Sequence, residues 1–318
     1  MLLVLTIVAP IFTLIALGTI AVQLRYLPAS IGDALSTFVF RIAVPALLFR
    51  TVATADFGGA DPLILWLAYF SGVAPIYAAG MIVARRFTGA DRRAAVIAGV
   101  SASFSNLIFV GIPVTEQAFG RPGLDALALI LAIHTPVMML VSTLLLERAA
   151  LGDAREGGAE GAFSPAKVIG EVARNLSRNA IVVGLALGAL WRLTGLPLNG
   201  LHGEVIRLVA ETAGPLALFA LGMSLPRYRI AGQLRVPGVL TVLTLLVQPS
   251  IVWAVGTLLA LPPLWLSVAV VGAACPIGVN AYLFSTHFRA GERLAASVIL
   301  VSTVASAVTL TGWLALMH

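Results

Sequence analysis

Long apolar runs alternate with short polar breaks along the whole chain. They cover residues 2–24, 31–52, 62–84, 94–119 and 124–146, and then 179–197, 203–226, 236–261, 264–288 and 294–317. Each run is near the ~20 residues that an α-helix needs to cross the ~30 Å hydrocarbon core of a bilayer. The pattern predicts ten transmembrane helices. Between the two sets, residues 147–178 carry Glu147, Arg148, Asp153, Arg155, Glu156, Glu160, Lys167, Glu171, Arg174 and Arg178 around a Gly/Ala stretch, which reads as a solvated linker. The expected organisation is a five-helix unit at 1–146, a cytoplasmic linker at 147–178 and a second five-helix unit at 179–318. The first run has no basic residue ahead of it and stays apolar too long for a cleaved signal peptide, so it reads as helix one.

Composition removes the alternatives to a membrane protein. Of 318 residues, 59% are hydrophobic and only 11% charged, and the mean hydropathy is +1.01. One aqueous core cannot hide that much apolar surface, so lipid must solvate much of it. The net charge of +6 does not point to nucleic acid, because the basic residues stand in short clusters between apolar runs. Arg25, Arg85, Arg86, Arg92, Arg93, the linker, Arg227, Arg229, Arg235, Arg289 and Arg293 fall in alternate loops, which together hold 15 of the 20 basic residues. The positive-inside rule puts those loops in the cytoplasm and both termini outside. The opposite loops hold Arg50, Arg121, Arg192 and Arg207. A single cysteine, Cys275, excludes an internal disulfide and sits in an apolar run, as a small packing residue would.

The two halves resemble each other. RIAVPALLF at Arg41–Phe49 aligns with ETAGPLALF at Glu211–Phe219, which puts Pro45 and Pro215 in register at an offset of 170. Pro75 then matches Pro249, and Asn106 matches Asn280, both at an offset of 174. Because five crossings are an odd number, the second copy must enter the membrane in the opposite orientation. Inverted repeats of this kind are a recurrent basis for alternating access.

Helix four carries SFSNLIFVGIPV, with Asn106, Gly111 and Pro113 near mid-span, and helix nine carries AACPIGVN, with Pro276, Gly278 and Asn280. Proline removes a donor and clashes with the preceding turn, while glycine lets the backbone leave helical geometry. Both helices are therefore expected to be interrupted. Breaks survive at membrane depth only where protein or a wet cavity covers them. The half-helix N-termini so created can hold a carboxylate without a dedicated cation, with the two Asn side chains orienting it. On this reading the six residues form a substrate site. The alternative is that the prolines are ordinary kinks and the Asn side chains join neighbouring helices.

These residues resemble the auxin efflux carrier superfamily, which includes plant carriers and bacterial permeases for malonate, malate and similar acids. The resemblance spans the chain and rests on VPALLF at 44–49, SNLIFVGIP at 105–113, GPLALFALGMSL at 214–225 and CPIGVN at 275–280. It implies ten helices in an elevator-type fold related to bile-acid symporters, with helices four and nine crossed, and a homodimer. Asn106, Pro113, Pro276 and Asn280 are the positions that match the family's crossover motif. The plant members carry a long central loop, so their phosphorylation control does not transfer to a linker of about thirty residues.

Four ionisable residues lie within or near the spans, where charge defaults to a functional hypothesis. Arg41 and Glu211 each precede a repeat-related proline by four residues. They can form an ion pair at the pseudo-twofold axis, contact or gate substrate, or snorkel separately. His134 in helix five suits proton coupling, or a neutral hydrogen bond between helices. Glu116, a turn after the helix-four break, can sense protons or line a vestibule. Gly184 and Gly188 form a GxxxG step that suits close helix contact, and Gln248 is placed to satisfy a carbonyl loosened by Pro249. No HExxH, Walker loop, GxSxG or paired-Cys motif is present, so neither an enzyme nor a metal or cofactor is expected. The sequence therefore points to a carrier of small organic anions in the inner membrane, uncoupled or coupled to protons or sodium. A membrane sensor that binds an acid without moving it is the alternative.

Overall fold

The computed structural model describes residues 2–55, 61–156, 164–228 and 234–317, and among them the chain is helical, with one isolated β-bridge. Residues 157–163 of the linker, Glu160 among them, and Arg229 lie outside the described residues. In chain order the helices are α1 (Leu2–Gln23), α2 (Ala29–Phe38), α3 (Val44–Ala53), α4 (Pro62–Thr88), α5 (Arg92–Ser103), α6 (Ile112–Glu156), α7 (Pro165–Ser177) and α8 (Ala180–Leu193). They continue as α9 (Gly200–Glu211), α10 (Ala213–Ser224), α11 (Arg235–Val242), α12 (Gln248–Leu258), α13 (Pro263–Ala273), α14 (Asn280–His287) and α15 (Glu292–Met317). Within the predicted linker, α6 runs on to Glu156 and α7 packs Val168 and Val172 inward, so much of that polar stretch is helical.

Among the described residues, seven helical segments are long and apolar enough to cross a membrane, and the α7–α8 pair, bent by 67°, makes an eighth candidate. The chain is thus a multi-pass membrane protein. The run at 179–197 forms the 14-residue α8 alone, and two further runs do not appear as single long helices because they are broken. The run at 94–119 divides after Ser103, and the run at 264–288 divides into α13 and α14. Conversely, the candidate Leu107–Gly152 is 46 residues long, about 69 Å if straight, more than twice the hydrocarbon core. It is not straight. Gly120 is non-helical, with φ of +61°, and a Cβ on Gly123 would lie 3.1 Å from Thr115. Eight residues of continuous helix would separate those positions by about 12 Å, so the chain doubles back at Gly120.

Among the described residues, three π-turns interrupt the helices, at Val39–Ala43, Leu107–Gly111 and Leu243–Val247. Each ends two residues before a proline, namely Pro45, Pro113 and Pro249. The widened turn relieves the clash between a proline ring and the carbonyl four residues earlier. That carbonyl still needs a donor, and for Pro249 it is the Leu245 oxygen, which accepts from Trp313 Nε1 at 2.9 Å. Gln248, which the sequence suggested for this role, instead donates to Ser105 Oγ at 3.3 Å.

The helices pack as two bodies. α1, α2–α3, α8 and α9–α10 make their most extensive contacts among themselves, and so do α4, α5, α6 and α11 to α15. The first body depends on glycine. A Cβ on Gly184 or Gly188 would stand 2.6 Å from the Pro45 or Phe49 carbonyl oxygen of α3. In the second body, residues 95–115 and 267–278 are buried throughout. The broken helices are therefore encased in protein, the condition under which irregular backbone persists at membrane depth.

Candidate functional site

The two breaks meet. α5 ends at Ser103 and α13 at Ala273, and the segments that follow run past each other in extended form. Ser105 and Ile277 form an antiparallel bridge. Asn106 N donates to Pro276 O at 2.7 Å, and Gly278 N donates to Phe104 O at 3.0 Å. Each break thus satisfies the backbone groups of the other. Ile277 N donates to Ser302 Oγ at 3.2 Å, which ties the crossing to α15. Pro276 fits because an extended segment asks only for its carbonyl. The glycines act differently from expectation. Neither Gly111 nor Gly278 has positive φ. The helical path is left instead at Phe104 (ψ 79°) and Asn106 (ψ 67°). Gly111 ends a π-turn, and Gly278 lies against the Asn106 backbone.

Beside the bridge is a small void of about 10 Å³, whose wall includes Asn106, Gly278, Asn280, His134, Thr135 and Phe40. That is space for about one water molecule. No residue lining it carries a fixed charge. The second segments of the two broken helices begin at this wall, the turn starting at Leu107 and α14 at Asn280. Asn106 caps the first, its Oδ1 accepting from Phe109 N at 3.1 Å. Its Nδ2 is buried without a partner. α14 has no side-chain cap, and among the described residues the amides of Val279 and Asn280 find no acceptor. His134, 1% exposed, has neither ring nitrogen bonded. The rings of Phe104 and Tyr69 meet it edge-on at 5.1 and 5.4 Å. Donors without acceptors thus gather at the wall of one small space, which is what an anionic or carbonyl-bearing ligand needs.

Of the residues singled out from the sequence, Asn106, Gly278, Asn280 and His134 line the void, while Pro276 is in the bridge behind it. Gly111 and Pro113 are buried in the following turn, outside the wall. Arg41 is exposed on the π-turn between α2 and α3. Glu211 is not its partner. It is bound by Arg207 at 2.6 Å, one turn earlier on the same helix, an i,i+4 contact that costs less ordering than a pair across the molecule. Glu116 is exposed, with its carboxylate against Gly214. Arg50 lies in the field of both Glu116 and Glu211, and Arg121 bonds Thr54. These groups make a polar rim away from the crossing. Phe40 and Phe104 are wall residues that sequence reasoning passed over, because an aromatic in an apolar run looks like any other packing residue.

A family model described as membrane transport protein matches residues 3–314 of the chain. The chain is 27% identical to a protein of Rhizobium meliloti (strain 1021) named "Putative malonate transporter", over 98% of this chain and 95% of that one. It is also 27% identical to an "Uncharacterized transporter" of Methanothermobacter thermautotrophicus, over 96% of each.

Proposed function

The chain belongs to the membrane transport protein family, and from that membership and the geometry of the crossing we propose that it carries small organic carboxylates across the inner membrane by alternating access. One observation carries the reading. Unpartnered donors from both broken helices, with His134 beside them, lie at the wall of a single small void. A carboxylate there would accept from Asn106 Nδ2 and from the free amides at the start of α14, while two helix N-termini offset its charge. The void has space for only about one water, so substrate entry requires the two bodies to separate at this wall. The ten-span, inverted-repeat organisation with both termini outside belongs to the same proposal, and the doubling back at Gly120 and the two-body packing support it. His134 is the group we assign to proton coupling, because a carboxylate bound beside it would offset the cost that burial places on charging an imidazole. The name of the Rhizobium relative favours malonate as the first acid to test.

The test is radiotracer uptake into proteoliposomes for a panel of organic acids, with imposed proton and sodium gradients. Wild type should move at least one short acid, and each of Asn106→Ala and Asn280→Ala should lower uptake about tenfold or more, the worth of a hydrogen bond to a charged group. Undiminished uptake in the double variant would overturn the site. Binding of an acid with no flux under any gradient would mark a sensor instead.

A further inference from the structure

We infer that Phe40 is the size filter of this site and restricts it to short aliphatic acids over indole-like ones. The inference rests on the carboxylate-carrier reading above. Phe40 sits on the π-turn Val39–Ala43, whose backbone packs with α2, α3, α8, α9 and α10 of the first body. Its ring crosses to the second body and meets Phe109 edge-on at 4.9 Å. Phe109 N is the amide that Asn106 Oδ1 caps. The ring therefore lies over the turn that carries the unpartnered Asn106 Nδ2, and it lines the same void as His134.

The rest of the wall is hard to move. Asn106 and Gly278 are fixed through main-chain bonds across the bridge. Phe104, Leu131 and His134 are 2%, 1% and 1% exposed, packed into the second body. Phe40 is only partly buried and is anchored on the other side. When the bodies separate, it is the wall residue that leaves. The space it vacates is about that of one aromatic ring, so the cargo that replaces it has the bulk of a three- or four-carbon acid. The π-turn aims it. Its extra residue directs Phe40 to the crossing and leaves its neighbour Arg41 exposed, and Pro45, two residues after the turn, is relieved by it.

The experiment compares malonate and indole-3-acetate uptake in proteoliposomes for wild type, Phe40→Ala, Phe40→Leu and Phe40→Trp, with Asn106→Ala as the site control. The indole-to-malonate ratio should rise about tenfold in Phe40→Ala, the scale of a pocket-size change. It should rise less in Phe40→Leu, and Phe40→Trp should slow both acids. Leu carries the comparison if the Ala variant does not fold. A ratio within twofold of wild type in all three variants, with malonate uptake still dependent on Asn106, would overturn the filter and leave the carrier reading standing. Absence of uptake of either acid in wild type would instead remove the carboxylate reading, and the filter with it.

Discussion

His134 is held at a cost. A buried polar group without a partner is worth about 1–3 kcal/mol of lost stability, and both of its ring nitrogens are in that state. Replacing it with Phe, which suits its aromatic neighbours, should raise the melting temperature of the detergent-solubilised protein while uptake falls. A melting temperature that does not rise, or uptake that persists, would make His134 an ordinary packing residue. His134→Gln should retain some uptake but lose its dependence on an imposed proton gradient, measured in the same vesicles. Arg41 and Glu211 are a contrasting case. Because Glu211 already has Arg207, exchanging the charges as Arg41→Glu/Glu211→Arg should give no rescue of either single variant, read by expression and melting. What was legible at this scale was polarity out of place. Asn106, Asn280 and His134 stand out in apolar runs because lipid-facing positions do not tolerate them. Phe40 gave no such signal, and the Arg41 pairing misled because equal offsets in sequence do not fix distance when a closer partner lies one turn away.

At the level of elements, proline was legible but its consequence was not. The matched prolines of the two halves are accommodated differently. Pro45 and Pro249 follow π-turns, whereas their partners do not. Pro215 follows a break at Thr212, and Pro75 sits inside the uninterrupted α4. The outcome depends on who takes the freed carbonyl, and that partner is distant in sequence. For Leu245 it is Trp313. Trp313→Phe should therefore cost about 1–3 kcal/mol by orphaning that oxygen. Pro249→Ala on the same background should recover part of it by restoring an amide, which a double-mutant cycle in thermal melts can check. No recovery would mean that the indole acts through packing alone. Gly184 and Gly188, by contrast, were readable as contact residues, and a larger side chain at either would meet an α3 carbonyl.

On the scale of the whole molecule, ten apolar runs reported membrane insertion, but the grouping of helices into two bodies was hidden, since it arises from contacts between residues far apart in the chain. The rim of Arg50, Glu116, Arg121 and Glu211 shows the same thing. Residues from three separate runs and the loop at Arg121 converge there, as expected if their loops share one side of the membrane. The native chain is a clean background for testing this, because its one cysteine, Cys275, is fully buried. Cysteines placed at Thr54 and Arg121 should be joined by a reducible thiol-reactive linker about as long as the arginine side chain that spans them, and the linked protein should lose uptake that reductant restores. Full uptake in the linked state would mean that these two points need not separate. The crossing itself has a further consequence. It is tied by main-chain atoms, Asn106 to Pro276 and Gly278 to Phe104, and such ties do not depend on which side chains drift in nearby. On the proposed reading, the backbone that presents Asn106 to the cargo's charged end thus keeps its course when neighbouring side chains change, while the wall facing it is free to vary. A lineage can exchange one acid for another by editing the opposing body, without having to rebuild the part that recognises an acid at all.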